Sequence, residues 1–311
     1  MEKLPAPELP PWIAKEVPFT RYRIAVGDGL YMHVMETGRG RPVLMVHGNP
    51  TWGFLYRKVA MCLQGQRLRL IMPDLIGFGL SDKPRDFSAH TIRNHSKWLG
   101  SLIDQLELEE VILVCQDWGG AIGTHPFTTR PHRLAGMVVL NTVLDAPSPG
   151  FRPTAFHRFS HLPLISDFVF RVLPLPQAAL NLAQGDKSSI RGDVARAYRY
   201  PFRRIRDRVA PLATARMAVD RMGHPSIEAL QECAAFVRGF GGPKAMVWGR
   251  RDPVIARALK RTRALLGNPP VVETQAGHFL QEEVPDEIAA AVLDVSARLS
   301  RASAQAPEKQ A

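Results

Sequence analysis

Three residues far apart in the chain have the types of a nucleophile, a base and an acid that orients the base. The first is Asp117. It follows Val111-Ile112-Leu113-Val114-Cys115-Gln116 and precedes Trp118-Gly119-Gly120, which reads as a buried strand, a sharp turn and a helix start. A nucleophile on such a strained turn needs small residues two places before and two places after it. Cys115 and Gly119 stand there. A carboxylate at the tip can attack carbon directly and form an ester, and the helix start behind it favours an anion. The plainer role for an aspartate here is to cap the helix. The second residue is His278, in Gln275-Ala276-Gly277-His278-Phe279, a loop after the last apolar strand. Its imidazole can take a proton from water near neutral pH. The third is Asp252, in the loop Trp248-Gly249-Arg250-Arg251-Asp252-Pro253-Val254. It can fix the histidine tautomer and stabilise the imidazolium, although an aspartate before proline is also a common turn pairing.

A developing oxyanion needs backbone donors. His47-Gly48-Asn49-Pro50 follows the apolar run Val43 to Val46. Glycine lets the backbone come close, and the next N–H can point into a site. Asn49 and Trp118 are therefore the candidate backbone donors. Asparagine before proline is equally a turn residue, and tryptophan a core residue.

These loops must hang on a scaffold. Apolar runs at Arg21 to Val26, Tyr31 to Met35, Val43 to Val46, Leu68 to Met72, Val111 to Cys115, Leu134 to Leu140, Ala245 to Trp248 and Val271 to Thr274 read as strands. Gly27-Asp28-Gly29 is a hairpin signal between the first two. Helical patterns fall at Phe54 to Leu63, Thr91 to Leu106, Gly119 to Arg130, Ile227 to Arg238, Ala256 to Leu266 and Asp286 to Leu299. The alternation predicts an α/β fold with a mostly parallel central sheet and helices on both faces. It breaks after Asp145. Residues 1–144 are read as the first part of the core, 145–221 as an inserted helical cap, 222–301 as the second part of the core, and 302–311 as a disordered tail.

Composition narrows the class. With 311 residues, 45% hydrophobic and 22% charged, the chain can bury a sizeable core. The net charge is +11, with much of the excess between Arg191 and Arg221, including Arg203, Arg204, Arg206 and Arg208. No aromatic-interleaved nucleic-acid motif accompanies it, so this reads as a solvated basic face and no nucleic-acid partner is expected. Cys62, Cys115 and Cys233 fit no zinc spacing and no complete pairing, which suggests a reducing, cytoplasmic setting. No run is long and apolar enough to anchor in a membrane, and Met1 to Lys15 does not read as a signal peptide. No metal cluster or organic cofactor is expected.

Gln116-Asp117-Trp118-Gly119-Gly120, with His47-Gly48-Asn49-Pro50-Thr51-Trp52 and Asp74-Leu75-Ile76-Gly77-Phe78-Gly79-Leu80-Ser81-Asp82-Lys83-Pro84, resembles the haloalkane dehalogenases of the α/β-hydrolase fold. The resemblance runs from about Tyr22 to about Leu299 and is weakest in the cap. It implies a small apolar halogenated substrate, water as co-substrate and a halide ion as product. It also implies a second task for Asn49 and Trp118, whose side-chain N–H groups would hold the departing halide. Both are neutral donors, so neither quenches the nucleophile by ion pairing. Some members carry the orienting acid as a glutamate after the strand following the nucleophile. Asn141 stands there and lacks the charge, which favours Asp252 over the weaker substitute Asp145. This pattern resembles the subfamily with an Asp-His-Asp triad and Asn/Trp halide ligands. Fluoroacetate dehalogenases resemble it less, since Trp118 replaces their arginine. Phe151, Phe156, Phe159, Phe168, Phe170 and Leu173 are candidate pocket residues of the cap. Two rival functions share the scaffold. Epoxide hydrolases use two cap tyrosines as proton donors, for which only Tyr198 and Tyr200 offer themselves. A non-catalytic ligand-binding protein need not keep Asp117, His278 and Asp252 together.

Overall fold

The apolar runs become the strands of one sheet. The computed structural model describes residues 2–148, 150–153 and 155–305. Its strands are β1 (Lys3–Pro5), β2 (Thr20–Ala25), β3 (Tyr31–Gly38), β4 (Arg41–Val46), β5 (Leu68–Pro73), β6 (Val111–Cys115), β7 (Leu134–Leu140), β8 (Lys244–Gly249) and β9 (Val271–Thr274). Among the described residues their order is β1-β2-β3-β5-β4-β6-β7-β8-β9. From β5 onward every neighbouring pair is parallel, and β1, β2 and β3 add an antiparallel edge. The β2–β3 connection carries positive φ at Gly27 (92°), Asp28 (54°) and Gly29 (69°), the left-handed backbone that explains the glycines of the expected hairpin.

Alternation along the strands divides the core into two layers. In β6, Val111, Leu113 and Cys115 join one cluster with Leu99 and Leu102 of the Ile92–Gln105 helix and Val237 of the Ser226–Gly239 helix. Ile112 and Val114 join the other, with Val59 of the Arg57–Cys62 helix and Val292 and Val295 of the Pro285–Gln305 helix. Every β6 side chain is buried, so the strand reads as a continuous apolar run. Each large aliphatic residue buried this way contributes roughly 1.5–3 kcal/mol, which anchors the strand carrying Asp117. Thr91 starts the Ile92–Gln105 helix by accepting a hydrogen bond from the Asn94 N–H at 3.1 Å.

The topology also fixes where a site can form. β4 lies between β5 and β6, and the helices that follow β4 and β6 pack on opposite faces of the sheet. The crevice therefore opens at the carboxyl ends of β4 and β6. Between β7 and β8 the described residues hold helices and no strand: Ala155–Ser160, Ile165–Asp167, Leu175–Ala178, Gly192–Arg199, Val209–Ala215 and the longer Ser226–Gly239, among shorter turns.

Three details differ from the sequence reading. β1 and the short Pro11–Ala14 helix fall in the proline-rich N-terminal stretch, too short for periodicity to reveal. The helix expected from Phe54 begins as a 3₁₀ turn, Gly53–Tyr56, and becomes α-helical only at Arg57. The last helix continues through Gln305, four residues into the stretch expected to be disordered, while residues 306–311 lie outside the described residues. No helix of the described residues is long and apolar enough to cross a membrane.

Candidate active site

Asp117 sits at the tip of the turn between β6 and the Trp118–Thr124 helix with φ 51° and ψ −132°. That conformation costs about 1–3 kcal/mol for a residue with a side chain. Its surroundings hold it there. The Asp117 N–H donates to the Asn141 carbonyl at 2.9 Å. The Asp117 carbonyl accepts from the Thr142 hydroxyl at 2.6 Å and from the Gly120 N–H at 3.0 Å. The small residue expected at 119 has a clear cause, since a Cβ on Gly119 would lie 2.2 Å from the Val46 carbonyl oxygen. A Cβ on Gly48 would lie 2.3 Å from Asp117 Oδ1. The carboxylate makes no capping bond to its own helix, so it is not a helix cap. Instead Oδ1 accepts from the Asn49 N–H at 2.8 Å, and Oδ2 lies 3.5 Å from His278 Nε2.

His278 in turn bonds Asp252, Nδ1 to Oδ2, at 2.9 Å. Asp252 and His278 are 0% and 5% exposed at the side chain and Asp117 13%, which leaves the aspartate on the turn as the member that a molecule in the crevice can reach. Asp252 acts both as partner and as turn residue, because its Oδ1 accepts from the Val254 and Ile255 N–H groups at 2.7 and 3.1 Å. Burial pushes the Asp252 carboxyl up, but the neighbouring His278, with help from Asn141, outweighs it and holds the group below its ordinary value. Burial pulls the His278 imidazole down, yet Asp252 and Asp117 on either side push it up to about 10. The ring lies between the Asp252 and Asp117 side chains, which favour its protonated form.

The loop after β4 is braced from below. The His47 ring accepts from the Leu75 N–H at 2.9 Å through Nε2 and donates to the Gly48 carbonyl at 2.8 Å through Nδ1. Asp74 accepts from the Gly53 and Leu80 N–H groups at 2.8 and 2.7 Å and bonds His33 at 2.9 Å. The Asn49 carboxamide has two N–H donors, and one of them is engaged. Its Nδ2 donates to the Pro211 carbonyl of the Val209–Ala215 helix at 3.0 Å. The Trp118 indole is half-buried against the core and makes no hydrogen bond among the described residues.

Several contributors escaped the sequence reading. Asn141, noted there as lacking charge, donates Nδ2 to Asp252 Oδ2 at 2.7 Å and accepts from the Gly249 N–H at 2.7 Å, so it positions the acid. Gln116 donates Nε2 to the His278 carbonyl at 3.0 Å. The His278 N–H donates to the Ala183 carbonyl at 2.8 Å, and the Gln184 amide clasps the Phe279 backbone at 2.9 and 3.1 Å. A buried polar residue beside a strand end was the available signal for Gln116 and Asn141. The contacts from 183 and 184 depend on tertiary docking and leave none.

Other candidates fall away from this cluster. Asp145 pairs with Arg261 at 2.8 Å. Tyr198 is fully buried and gives its hydroxyl to Glu282 at 2.5 Å. Tyr200 packs edge-on against Trp12. The Tyr198 hydroxyl is therefore already engaged and not free to serve an epoxide. Phe168 and Leu173 are exposed, while Phe159 and Phe170 pack with Leu212 and Ala215. The Phe156 side chain lies outside the described part. Arg203, Arg204 and Arg206 are exposed, as expected of a solvated face, whereas Arg208 binds the Phe202, Arg203 and Arg171 carbonyls. A cavity of about 350 Å³ lined by Phe87, Ile92, Ala213, Met217 and His224 touches none of the five proposed site residues.

Residues 41–285 match the family model described as the alpha/beta hydrolase fold. Haloalkane dehalogenase 2 of Mycobacterium tuberculosis is 31% identical over 305 residues, covering 93% of this chain and 97% of that protein. The haloalkane dehalogenase DbeA from Bradyrhizobium elkani superposes with a TM-score of 0.81 at 26% identity, covering 91% of this chain and 99% of that one. The haloalkane dehalogenase DatA from Agrobacterium tumefaciens gives a TM-score of 0.77 at 27% identity, covering 91% and 96%. With its sheet order, its strained aspartate turn and these relatives taken together, the chain belongs to the α/β-hydrolase fold family and, within it, to the haloalkane dehalogenases.

Proposed function

We propose that the protein hydrolyses haloalkanes to an alcohol and halide through an alkyl ester on Asp117. The supporting observation is the chain of contacts from Asp117 Oδ2 to His278 Nε2 at 3.5 Å and from His278 Nδ1 to Asp252 at 2.9 Å. Asp117 Oδ2, the oxygen without a backbone donor, attacks the halogen-bearing carbon, and halide departs with the bonding pair. Asn49 and Trp118 receive the halide on their side-chain N–H groups. Esterification removes the Asp117 charge. One of the two groups raising His278 is then gone, so the ring releases its proton more readily and can serve as a base. It takes a proton from water, which attacks the Asp117 carbonyl carbon. Oδ1 carries the developing charge toward the Asn49 and Trp118 N–H groups. The alkoxide leaves with the proton from His278, and the acid proton on Asp117 restores the imidazolium. Residues 145–221 act as the cap that sets substrate size. Free Cys62, Cys115 and Cys233 support a cytoplasmic setting.

Incubation with 1-bromobutane or 1,2-dibromoethane should release bromide and acid in equal amounts. Asp117→Asn should abolish release. His278→Phe should instead retain one alkyl group per chain, visible by intact mass. Absence of bromide across a broad panel, with styrene oxide turned over, would reject this reading in favour of epoxide hydrolysis.

A further inference from the structure

We propose that the cap holds a transition-metal site, separate from the catalytic crevice, with His161, Asp220 and His224 as ligands for Zn²⁺ or an ion of similar preference. One ligand atom from each of the three residues lies within 4.8 Å of the others. The two rings meet edge to face, with centroids 5.7 Å apart. His161 is set up as a ligand by its own backbone neighbour. Its Nε2 bonds the Ala218 carbonyl at 3.1 Å, so that nitrogen must carry the hydrogen and Nδ1 keeps the lone pair. Nδ1 lies 3.9 Å from Asp220 Oδ2. Metal-binding histidines characteristically have this arrangement, one nitrogen donating to a carbonyl and the other turned to the ion.

His224 repeats half of the pattern. Its Nε2 donates to the Arg216 carbonyl at 3.0 Å, and its Nδ1 accepts from the Ser226 N–H at 3.1 Å. A metal bond replaces one of these, which lowers affinity without forbidding the site. Arg221 pairs with Asp220 at 3.1 Å, but its side chain is 64% exposed and can swing into water at little cost. Two imidazoles and one carboxylate suit Zn²⁺ and the neighbouring divalent ions at ligand lengths of about 2.0–2.2 Å. Moderate side-chain movement brings the three atoms to that distance. His157, half-buried in the helix turn before His161, lies close enough to feel the charge of both His161 and Asp220.

The site would tie the end of the Ala155–Ser160 helix to the loop that follows the Val209–Ala215 helix. Arg216, Met217 and His224 of that loop line the cavity of about 350 Å³, and Pro211 of the same helix accepts from Asn49. Metal occupancy would therefore stiffen the part of the cap that reaches the oxyanion loop.

The test is calorimetric titration of ZnCl₂ into EDTA-treated, dialysed full-length protein, run beside thermal melting. A Cys62→Ser background removes the exposed thiol as a competing ligand. One equivalent of Zn²⁺ per chain should bind, with a rise in Tm that EDTA reverses. His161→Gln and Asp220→Asn should each lose at least tenfold in affinity and most of the Tm shift. His161 and Asp220 are both partly exposed, and the two variants check one another for folding. Absence of saturable binding, or equal binding in folded His161→Gln and Asp220→Asn, overturns the site.

Discussion

At the scale of single residues, His278 carries the clearest measurable consequence. Its ring is pushed from an ordinary value of 6.5 up to about 10 in the folded protein. A group raised on folding stabilises the native state fully below its unfolded value and loses that contribution as pH climbs through the folded one. Thermal stability should therefore fall between pH 6.5 and about pH 10. A His278→Gln variant should show a visibly shallower decline over the same window, and parallel curves would contradict the two-carboxylate account. Asp117, His278 and Asp252 could be read from sequence because each follows a strand end, where a parallel sheet gathers its loops. Asn141 was weighed only for the charge it lacks. Its contribution is geometric, a carboxamide spanning Asp252 and the Gly249 backbone, and such a role appears only once β7 and β8 are side by side.

At the scale of elements, the β6 turn concentrates the local constraints. Gly119 meets backbone rather than a movable side chain, so Gly119→Ala cannot be absorbed by a rotamer change. The substitution should cost about 1–3 kcal/mol in urea unfolding and abolish halide release, because relief requires the turn to open. An unchanged unfolding midpoint would count against the packing argument. Eight strands could be read as short apolar runs bounded by turn residues. Helices were harder to bound. Several begin or end in 3₁₀ turns, such as Gly53–Tyr56, His125–Thr128 and Ala256–Ala258, which share the apolar spacing of the helices they adjoin. β1 is three residues long and pairs at the sheet edge through backbone bonds, so its side chains carry little pattern.

At the scale of the whole molecule, the helices inserted between β7 and β8 are tied to the rest of the chain through buried charge. Glu282 pairs with Arg57 at 2.5 Å and with Lys58 at 3.1 Å, and it accepts the Tyr198 hydroxyl at 2.5 Å. Arg57 and Glu282 are essentially unexposed. Glu282→Gln should therefore destabilise the fold by about 3–5 kcal/mol, because it strands the Arg57 charge in the interior. A loss below about 1 kcal/mol would mean that water reaches the pair after all. None of this was visible in sequence, since the partners come from separate elements and nothing in their spacing joins them. The attachments of residues 183–186 have a further consequence. His278 and Phe279 are stitched to Ala183 and Gln184, and Glu283 accepts from the Gly185 and Asp186 N–H groups at 3.1 and 2.7 Å. Among the described residues, the Val209–Ala215 helix shares one hydrogen bond with the loop after β4, from Asn49 Nδ2 to the Pro211 carbonyl, and otherwise rests on apolar packing. The helical insertion between β7 and β8 thus has a bolted edge and a latched edge. Breathing that admits solvent should begin at the latch, with faster amide hydrogen exchange at 209–215 than at 183–186, and the base keeps its aim while the door moves.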